Sequence, residues 1–291
     1  MSSQEDGLPF RLSLEAANRT VGVISLCLPF GLLGVSQLGH ICPDLDSLSH
    51  YFYAPIGGEL FVGALFIIGL LLTFFYKLPT DDKGNLLSVE AYRGHYKRDI
   101  WFVRFAGICA FGVALFPTDG AGCEAYASQS ARVFLSGISG GNLPPDLPID
   151  GIAGFDLWAT LGLPDGWWGV LHYGAAGGLF AVLAYFAFSV FPRPQTKDTC
   201  APKRYSRKWW RNGIYRGCGC LILISMAGLI WQMRHVPGTQ EQIAWDAKNL
   251  TFWFETLGLV AFGLSWCVKG RLFGLMRDPG DVSPKVAACR L

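Results

Sequence analysis

The sequence predicts an all-α membrane protein, a polytopic bundle of six transmembrane helices. Of its 291 residues, 51% are apolar and only 16% are charged, a balance typical of integral membrane proteins. Six stretches are long and apolar enough to cross a hydrocarbon core of roughly 30 Å, which takes about 20 helical residues. Runs such as FVGALFIIGLLLTFFY are apolar on every side, whereas the strands of a membrane barrel alternate apolar and polar residues. The spans are therefore predicted to be helices.

The predicted spans make one membrane domain over residues 21–268. They lie near 21–38, 56–76, 101–117, 169–191, 213–233 and 250–268. Residues 1–20 form a polar N-terminal segment without the features of a cleaved secretory signal, and residues 269–291 form a tail. The connection between spans three and four, 118–166, is long and rich in proline and glycine. We expect it to cap the outer end of the bundle.

The basic residues predict the orientation of the spans. All but three of the 24 lysines and arginines lie in or beside the loops on the side of the N-terminus, the exceptions being Arg132, Arg234 and Lys248. Because basic loops stay in the cytoplasm, we expect both termini to be cytoplasmic, in a plasma membrane or a bacterial inner membrane. The net charge of +2 does not indicate nucleic-acid binding. The basic run at 203–211 is expected to set the topology or to contact anionic lipid headgroups.

Small residues predict where two helices pack most closely. Gly174 and Gly178 of span four are four residues apart, and span three carries Ala106, Ala110 and Ala114 at the same spacing. Small side chains at this spacing let two backbones approach each other. Spans three and four are therefore expected to form the closest helix contact.

Ionisable residues gather at the predicted outer ends of the spans. Glu59 opens span two, His172 opens span four, and Glu255 lies a turn inside span six. A charge near the bilayer centre costs at least ~2.5 kcal/mol, so such residues are candidates for function. Helix starts that favour a negative charge are the alternative explanation for the two glutamates. The external pocket that this pattern predicts, for a ligand or a lipid headgroup, comprises Glu59, Asp119, His172, Glu255, Ser47 and His50.

The same residue types also bind metal ions. Imidazoles and carboxylates are ligands for zinc and similar ions, and the expected ligands here are His50, His172 and Glu255. A metal-bound water would make the protein a lipid hydrolase. The sequence contains no HxxxH or HExxH motif, so it assigns no catalytic residue and favours a role without catalysis. Haem is not expected, because only His172 lies plainly on a span.

The nine cysteines are too scattered for a zinc pattern. On this topology only Cys42 and Cys123 lie outside the cell, where thiols oxidise. They are expected to form either a disulfide between the first and the second external loop or two free, buried thiols.

Several stretches together resemble bacterial six-span proteins of the domain-of-unknown-function family 998. They include HICPDLDSLSHYFYAPIGGELFVGALFIIGLLL, GICAFGVALFPTD, LHYGAAGGLFAVLAYFAFSVF, RNGIYRGCG and TFWFETLGLVAFGLSWCVKG. The resemblance covers about residues 20 to 272 and extends, more distantly, to the Frag/DRAM/Sfk-type membrane proteins. Family members tend to carry an arginine before the acidic residue of span two, where this chain has Gly58.

The resemblance marks a few positions and a general role. The shared positions are Pro43 followed by Ser47 or Ser49, His172 with Gly174 and Ala175, and Trp253 with Glu255. The eukaryotic relatives are linked to lipid remodelling and lipid asymmetry, which implies that membrane lipids are the partners of this chain.

Two functions are open at this stage. One is a lipid-associated membrane protein whose external pocket holds a headgroup. The other is a non-catalytic accessory subunit that packs against other subunits of a respiratory or photosynthetic complex. Ten Trp, 21 Phe and ten Tyr residues supply contact surface for the second, but such residues are common in all membrane proteins.

Overall fold

The computed structural model describes residues 13–39, 45–54, 56–77, 95–116, 118, 167–193, 206–235 and 237–274, and within these ranges every regular element is a helix. The helices are α1 (Leu14–Gly39), a 3-10 helix (Ser49–Tyr53), α2 (Gly57–Leu70, continued by a π-helical turn at Leu71–Phe75), α3 (Lys97–Leu115), α4 (Trp167–Tyr185, continued likewise at Phe186–Val190), α5 (Arg207–His235), the short α6 (Gln240–Asp246) and α7 (Leu250–Lys269). The predicted external cap lies outside the described residues except for Thr118, as do residues 1–12 and most of the predicted tail.

Five of these helices are long and apolar enough to cross a membrane: α1, α2, α4, α5 and α7. The third predicted span, α3, has 19 residues but begins with charged side chains at Lys97, Arg98 and Asp99 and carries Arg104 a turn later. The all-helical membrane fold is therefore confirmed, whereas the count of six spans remains a prediction that turns on α3.

Two helices begin well before the predicted spans. In α1, Ser13 accepts a hydrogen bond from the backbone N–H of Ala16, at 3.1 Å from Oγ, and Arg19 pairs with Glu15 at 2.9 Å. In α5, the hydroxyl oxygen of Ser206 accepts from the backbone N–H of Trp209, at 3.2 Å. A serine cap satisfies an N–H group that has no partner within the helix, so polar residues can extend a helix beyond its apolar part.

The six long helices form a closed ring in chain order. Each packs against the next, and α7 completes the ring by packing on both α5 and α1. Neighbours run in opposite directions, as contacts of α3 with α4 show: Gly112 lies near Ala175, whereas Tyr185, ten residues further along α4, bonds to Asp99. Antiparallel neighbours of this kind are typical of an up-and-down helix bundle.

The closest helix contact is between α1 and α7. A Cβ atom placed on Gly263 would lie 2.6 Å from the backbone nitrogen of Leu26, and one placed on Gly22 would lie 2.6 Å from the backbone nitrogen of Cys267. The predicted contact between α3 and α4 exists, with Gly178 against Cys109, but Gly174 has open space around it. The prediction that spans three and four pack most closely is therefore wrong, because the α1–α7 backbones approach more nearly.

One end of the ring, here called the basic rim, carries the starts of α1, α3 and α5 and the ends of α4 and α7. A buried ion pair joins α3 to the end of α4 there. Arg193 donates to both carboxylate oxygens of Asp99, and the Tyr185 hydroxyl donates to the same carboxylate at 2.7 Å. Lys208 of α5 then donates to the carbonyl oxygen of Arg193 at 3.1 Å. The Asp99 side chain is fully buried, so these partners replace the water that it loses.

An aromatic cluster fills the ring above the basic rim. Trp266 of α7 lies at its centre, with ring centroids 5.5 Å from Phe191 and from Phe262 and 6.1 Å from Phe186 and from Tyr76. All five side chains are almost inaccessible. Packing between aromatic rings of this kind adds to the stabilisation from burial.

Replacing Gly263 with alanine is expected to destabilise the protein by about 1–3 kcal/mol, the usual cost of overpacking. The added methyl group would meet backbone atoms of α1, which cannot rotate away as a flexible side chain can. Thermal unfolding in mild detergent measures the effect.

Gly31→Ala is the matched control, because nothing lies within 4 Å of that position on α1. It is expected to unfold at the parent temperature or slightly above it, since alanine favours helix more than glycine does. Equal unfolding temperatures for the two variants would contradict the close α1–α7 packing.

Candidate functional site

The other end of the ring, here called the cavity rim, is crossed by the connection between α1 and α2. Residues 45–54 of this connection insert into the ring. Their burial shows this, since four apolar side chains are only 2–3% exposed: Leu48, Tyr51, Phe52 and Ala54. These apolar side chains fix the position of the short 3-10 helix. The two serines on either side of Leu48, Ser47 and Ser49, are consequently also buried.

The turn into α2 explains the glycine at position 58. A Cβ atom on Gly58 would lie 2.6 Å from the carbonyl oxygen of Phe52. A side chain larger than glycine at position 58 would therefore meet the backbone of the segment 45–54. Glu59 itself is exposed in the first turn of α2.

Glu255 is the centre of the polar contacts at the cavity rim. Its Oε2 atom accepts hydrogen bonds from the Ser47 hydroxyl at 2.8 Å and from the Leu48 backbone N–H at 2.6 Å. Its Oε1 atom lies 3.3 Å from Oγ of Ser49. The carboxyl group of α7 thus meets three hydrogen-bonding groups of the segment 45–54, and these contacts offset the cost of placing it inside an apolar helix.

The first turn of α7 is tied to the same segment by the backbone. The N–H of Phe252 donates to the carbonyl oxygen of Asp46 at 2.8 Å. Early helical N–H groups have no partner inside their own helix. The segment 45–54 therefore satisfies both a backbone donor and a side-chain acceptor of α7.

His172 of α4 connects the segment to two further helices. Its Nδ1 atom lies 2.6 Å from the carbonyl oxygen of Phe116, at the end of α3, and its Nε2 atom lies 3.0 Å from Oγ of Ser49. A carbonyl oxygen only accepts, so Nδ1 carries a proton. The imidazole is 2% exposed and its orientation is fixed by both contacts.

His50 and Asp46 form a second, more exposed pair. His50 Nδ1 lies 2.6 Å from Asp46 Oδ1. The hydrogen bond from His50 holds the pKa of Asp46 below its usual range, although burial opposes this. Asp246 of α6 behaves in the opposite way, because burial and the nearby charge of Asp46 raise its pKa.

A cavity of about 280 Å³ lies inside the ring next to these groups. Its polar end is formed by Asp46, Ser47, Ser49, His50, His172, Asp246 and Glu255, and its apolar body includes Leu28, Phe61, Leu65, Val113, Leu179, Phe180, Met226 and Leu259. Six helices and the segment 45–54 contribute to this wall, as does α6. Among the described lining residues none is a lysine or an arginine.

The structure brings together four of the six residues of the predicted pocket. Ser47, His50, His172 and Glu255 all line the cavity, whereas Glu59 does not. Asp119 lies outside the described residues, as do both cysteines of the predicted disulfide, Cys42 and Cys123. The role of the four grouped residues remains a prediction.

The predicted pocket did not include Ser49 or Asp246, although the resemblance had marked Ser47 or Ser49. Ser49 links Glu255 to His172, and the choice between the two serines depended on the placement of the 3-10 helix that begins at Ser49. Asp246 lies on α6, a helix of seven residues outside the predicted spans. Nothing in its immediate sequence indicates that it reaches the cavity.

The predicted metal ligands do not form a metal centre in the described part of the chain. No group of three His, Cys, Asp or Glu side chains there is close enough to hold an ion. Ser49 stands between His172 and Glu255, and His50 is engaged with Asp46. In the described part of the chain, these side chains are therefore arranged as hydrogen-bond partners of one another.

The opposite pKa shifts of Asp46 and Asp246 predict opposite responses to substitution. A lowered carboxyl pKa contributes stability that is present above the pKa of the unfolded chain and is lost as the pH falls through the folded pKa. Asp46→Asn should therefore lower the unfolding temperature near neutral pH, and the difference from the parent should vanish in acid. The expected size is about 0.5 kcal/mol, as for other partly exposed pairs.

Asp246→Asn is the matched control for that experiment. A raised carboxyl pKa reduces stability once the pH exceeds the pKa of the unfolded chain, so this variant should be as stable as the parent or more stable at neutral pH. Unfolding temperatures measured across the acid range distinguish the two. Equal losses for both variants at neutral pH would contradict the assigned environments.

Comparison with known proteins gives no relative: no family model, no curated protein and no solved structure matches the chain. The resemblance to family 998 therefore stays a prediction, and the site has to be interpreted from its own geometry.

Proposed function

We propose that this chain is a six-span membrane protein that binds an amphiphilic molecule in the cavity, with the polar group of the ligand against Glu255, Ser49 and His172. The observation that carries the proposal is the composition of the cavity wall, which is polar at one end and apolar along the rest. A site of this kind suits a molecule with a small polar group and an apolar tail. Binding sites are typically concave and mostly apolar, with a few polar groups that orient the ligand.

The position of α3 supports a sixth span. This helix packs between α2 and α4, and its 19 residues extend about 28 Å at the helical rise, close to the thickness of the hydrocarbon core. Its charged residues Lys97, Arg98 and Asp99 lie at the basic rim. With α3 as a span, the basic rim faces the cytoplasm by the positive-inside rule, and the cavity faces the other side of a plasma or bacterial inner membrane.

The charges at the polar end select among headgroups. Three carboxyl groups line it, those of Asp46, Asp246 and Glu255, against two imidazoles and no lysine or arginine among the described residues. Phosphate groups are bound in proteins mainly by arginine, lysine and helix N-termini. The ligand is therefore proposed to carry a hydroxyl or an amine as its polar group, rather than a bare phosphate.

The seam between α4 and α5 is the proposed route into the cavity. Tyr173 of α4 and Ile230 and Met233 of α5 line the cavity and are also 41–50% exposed on the surface of the ring. A side chain that is both lining and exposed marks a place where the wall is thin. An amphiphile could then enter sideways from the lipid, without crossing the polar rim.

Filling the cavity is expected to displace the ligand. Gly177 of α4 lines the cavity and has no atom within 4 Å of an added Cβ, so Gly177→Phe should place a ring in the cavity without a backbone clash. Lipid extracted from protein purified in mild detergent, measured by mass spectrometry, should show the bound amphiphile reduced by about tenfold, which corresponds to ~1.4 kcal/mol.

Gly174→Phe is the matched control, one turn away on the same helix. Gly174 also has open space around it but does not line the cavity. This variant should retain the parent amount of the amphiphile. Parent and Gly177→Phe preparations with the same lipid content would contradict the proposal.

A further inference from the structure

Glu255, Ser49 and His172 form a continuous hydrogen-bonded chain at the polar end of the cavity. Oε1 of Glu255 lies 3.3 Å from Oγ of Ser49, which lies 3.0 Å from Nε2 of His172. The far side of the imidazole is anchored by Nδ1 on the carbonyl oxygen of Phe116, at 2.6 Å. One end of the chain is therefore an acid, the middle is a hydroxyl group and the other end is a base.

The hydrogen bonds that link Glu255, Ser49 and His172 require a fixed number of protons. The carbonyl oxygen of Phe116 can only accept, so one proton is fixed on Nδ1. The two remaining links, Glu255 to Ser49 and Ser49 to His172, each need one proton. The Ser49 hydroxyl supplies one of them. The second must be held either by the carboxyl group of Glu255 or by Nε2 of His172.

These two placements are two states of one unit. In the neutral state, Glu255 is a carboxylic acid that donates to Ser49, and Ser49 donates to Nε2. In the ion-pair state, the imidazolium donates from Nε2 to Ser49, and Ser49 donates to the Glu255 carboxylate. Moving from the first state to the second breaks the O–H bonds of Glu255 and Ser49 and forms a new O–H bond on Ser49 and an N–H bond on Nε2. The total charge does not change.

We propose that Glu255, Ser49 and His172 are a proton relay, in which the Ser49 hydroxyl passes a single shared proton between the carboxyl group and the imidazole. Both ends line the cavity, so a bound molecule reaches the relay from inside. This step rests on the proposed function: the relay then indicates the chemical class of the ligand. It serves an amphiphile whose hydroxyl or amine exchanges a proton with the site.

The other titratable groups at the cavity do not enter the chain. Those that line it are His50 and Asp46 of the connecting segment, Tyr173 of α4 and Asp246 of α6, whereas α1, α2, α3 and α5 contribute no titratable lining residue in the described part of the chain. His50 is engaged with Asp46. Ser47 donates to Oε2 of Glu255 and accepts from the backbone N–H of Ser49. Neither of these two hydrogen bonds reaches His172, whose Nε2 atom contacts Ser49.

The relay is tested on the full-length protein in lipid bilayers, without added ligand. Infrared spectroscopy follows the carbonyl stretch of a protonated Glu255, assigned by its loss in Glu255→Gln, while ¹⁵N NMR follows the ring nitrogens of His172, assigned with His172→Gln. In the parent, loss of the single shared proton should change both signals at a common midpoint, because the apparent pKa belongs to the pair and not to either residue. Ser49→Ala should separate the midpoints by at least about one pH unit.

Ser47→Ala is the matched control, because this serine also bonds to Glu255 but does not connect it to His172. It should keep the common midpoint. Separate midpoints in the parent, or a Ser49→Ala variant that titrates as the parent does, would overturn the relay.

A parent measurement covers the case in which Ser49→Ala fails to fold. At neutral pH the parent must show a protonated carboxyl or an imidazolium, and the absence of both would also overturn the relay. Different results would contradict the relay and the proposed function. Separate midpoints in a parent protein that still binds the amphiphile would contradict only the relay. An unchanged amount of amphiphile in Gly177→Phe would contradict only the ligand site.

Discussion

The contact between the Glu255 carboxyl group and the segment 45–54 determines the arrangement of the cavity rim. A carboxyl group within an apolar helix is costly unless its oxygen atoms find donors. Here the donors come from the connection between α1 and α2, in which Ser47 precedes Glu255 by 208 positions. Because α7 packs on α1 and α5, and the segment joins α1 to α2, this one group holds the end of the ring together. The position of Ser49 between Glu255 and His172, and thus the polar end of the cavity, follows from it.

The two rims use the same principle with different outcomes. At the basic rim, the buried carboxylate of Asp99 is held by an arginine and a tyrosine, and the aromatic cluster around Trp266 fills the adjacent space. At the cavity rim, Glu255 is held by hydroxyl groups and one backbone N–H, with no lysine or arginine among the described lining side chains. An arginine partner would fix the carboxylate in its charged form. Hydroxyl partners can accept or donate, so they allow the proton to move.

The helical membrane fold and the grouping of Ser47, His50, His172 and Glu255 were predictable from the sequence because both depend on local patterns. Apolar length located the spans. Helical phase also separates Glu255 from Glu59: Glu255 lies three residues after the buried Phe252 and four before the buried Leu259, on the inward stripe of α7. Glu59 lies two residues before the buried Phe61, which is about 200° around the helix, so it points away from the ring. Applying this phase to both glutamates would have removed Glu59 from the predicted pocket.

Other features depended on tertiary packing that no local pattern contains. Which serine of the segment 45–54 meets His172 depends on the burial of Leu48, Tyr51 and Phe52, which orients the short 3-10 helix. The closest helix contact, between α1 and α7, joins Gly22 and Gly263, positions separated by most of the chain. Small residues with regular spacing in α3 and α4 were a visible signal, but single glycines opposite backbone in a neighbouring helix are recognised only once the neighbours are known.

Amide hydrogen exchange at Leu48 tests the central interaction most directly, because this backbone N–H is donated to Glu255 Oε2 at 2.6 Å. In the full-length protein in lipid bilayers, the Leu48 amide should be protected from exchange. In Glu255→Leu it should exchange much faster, while the amides in the middle of α2 and α3 keep their protection. A Leu48 amide that exchanges as fast in the parent as in the variant would contradict the account.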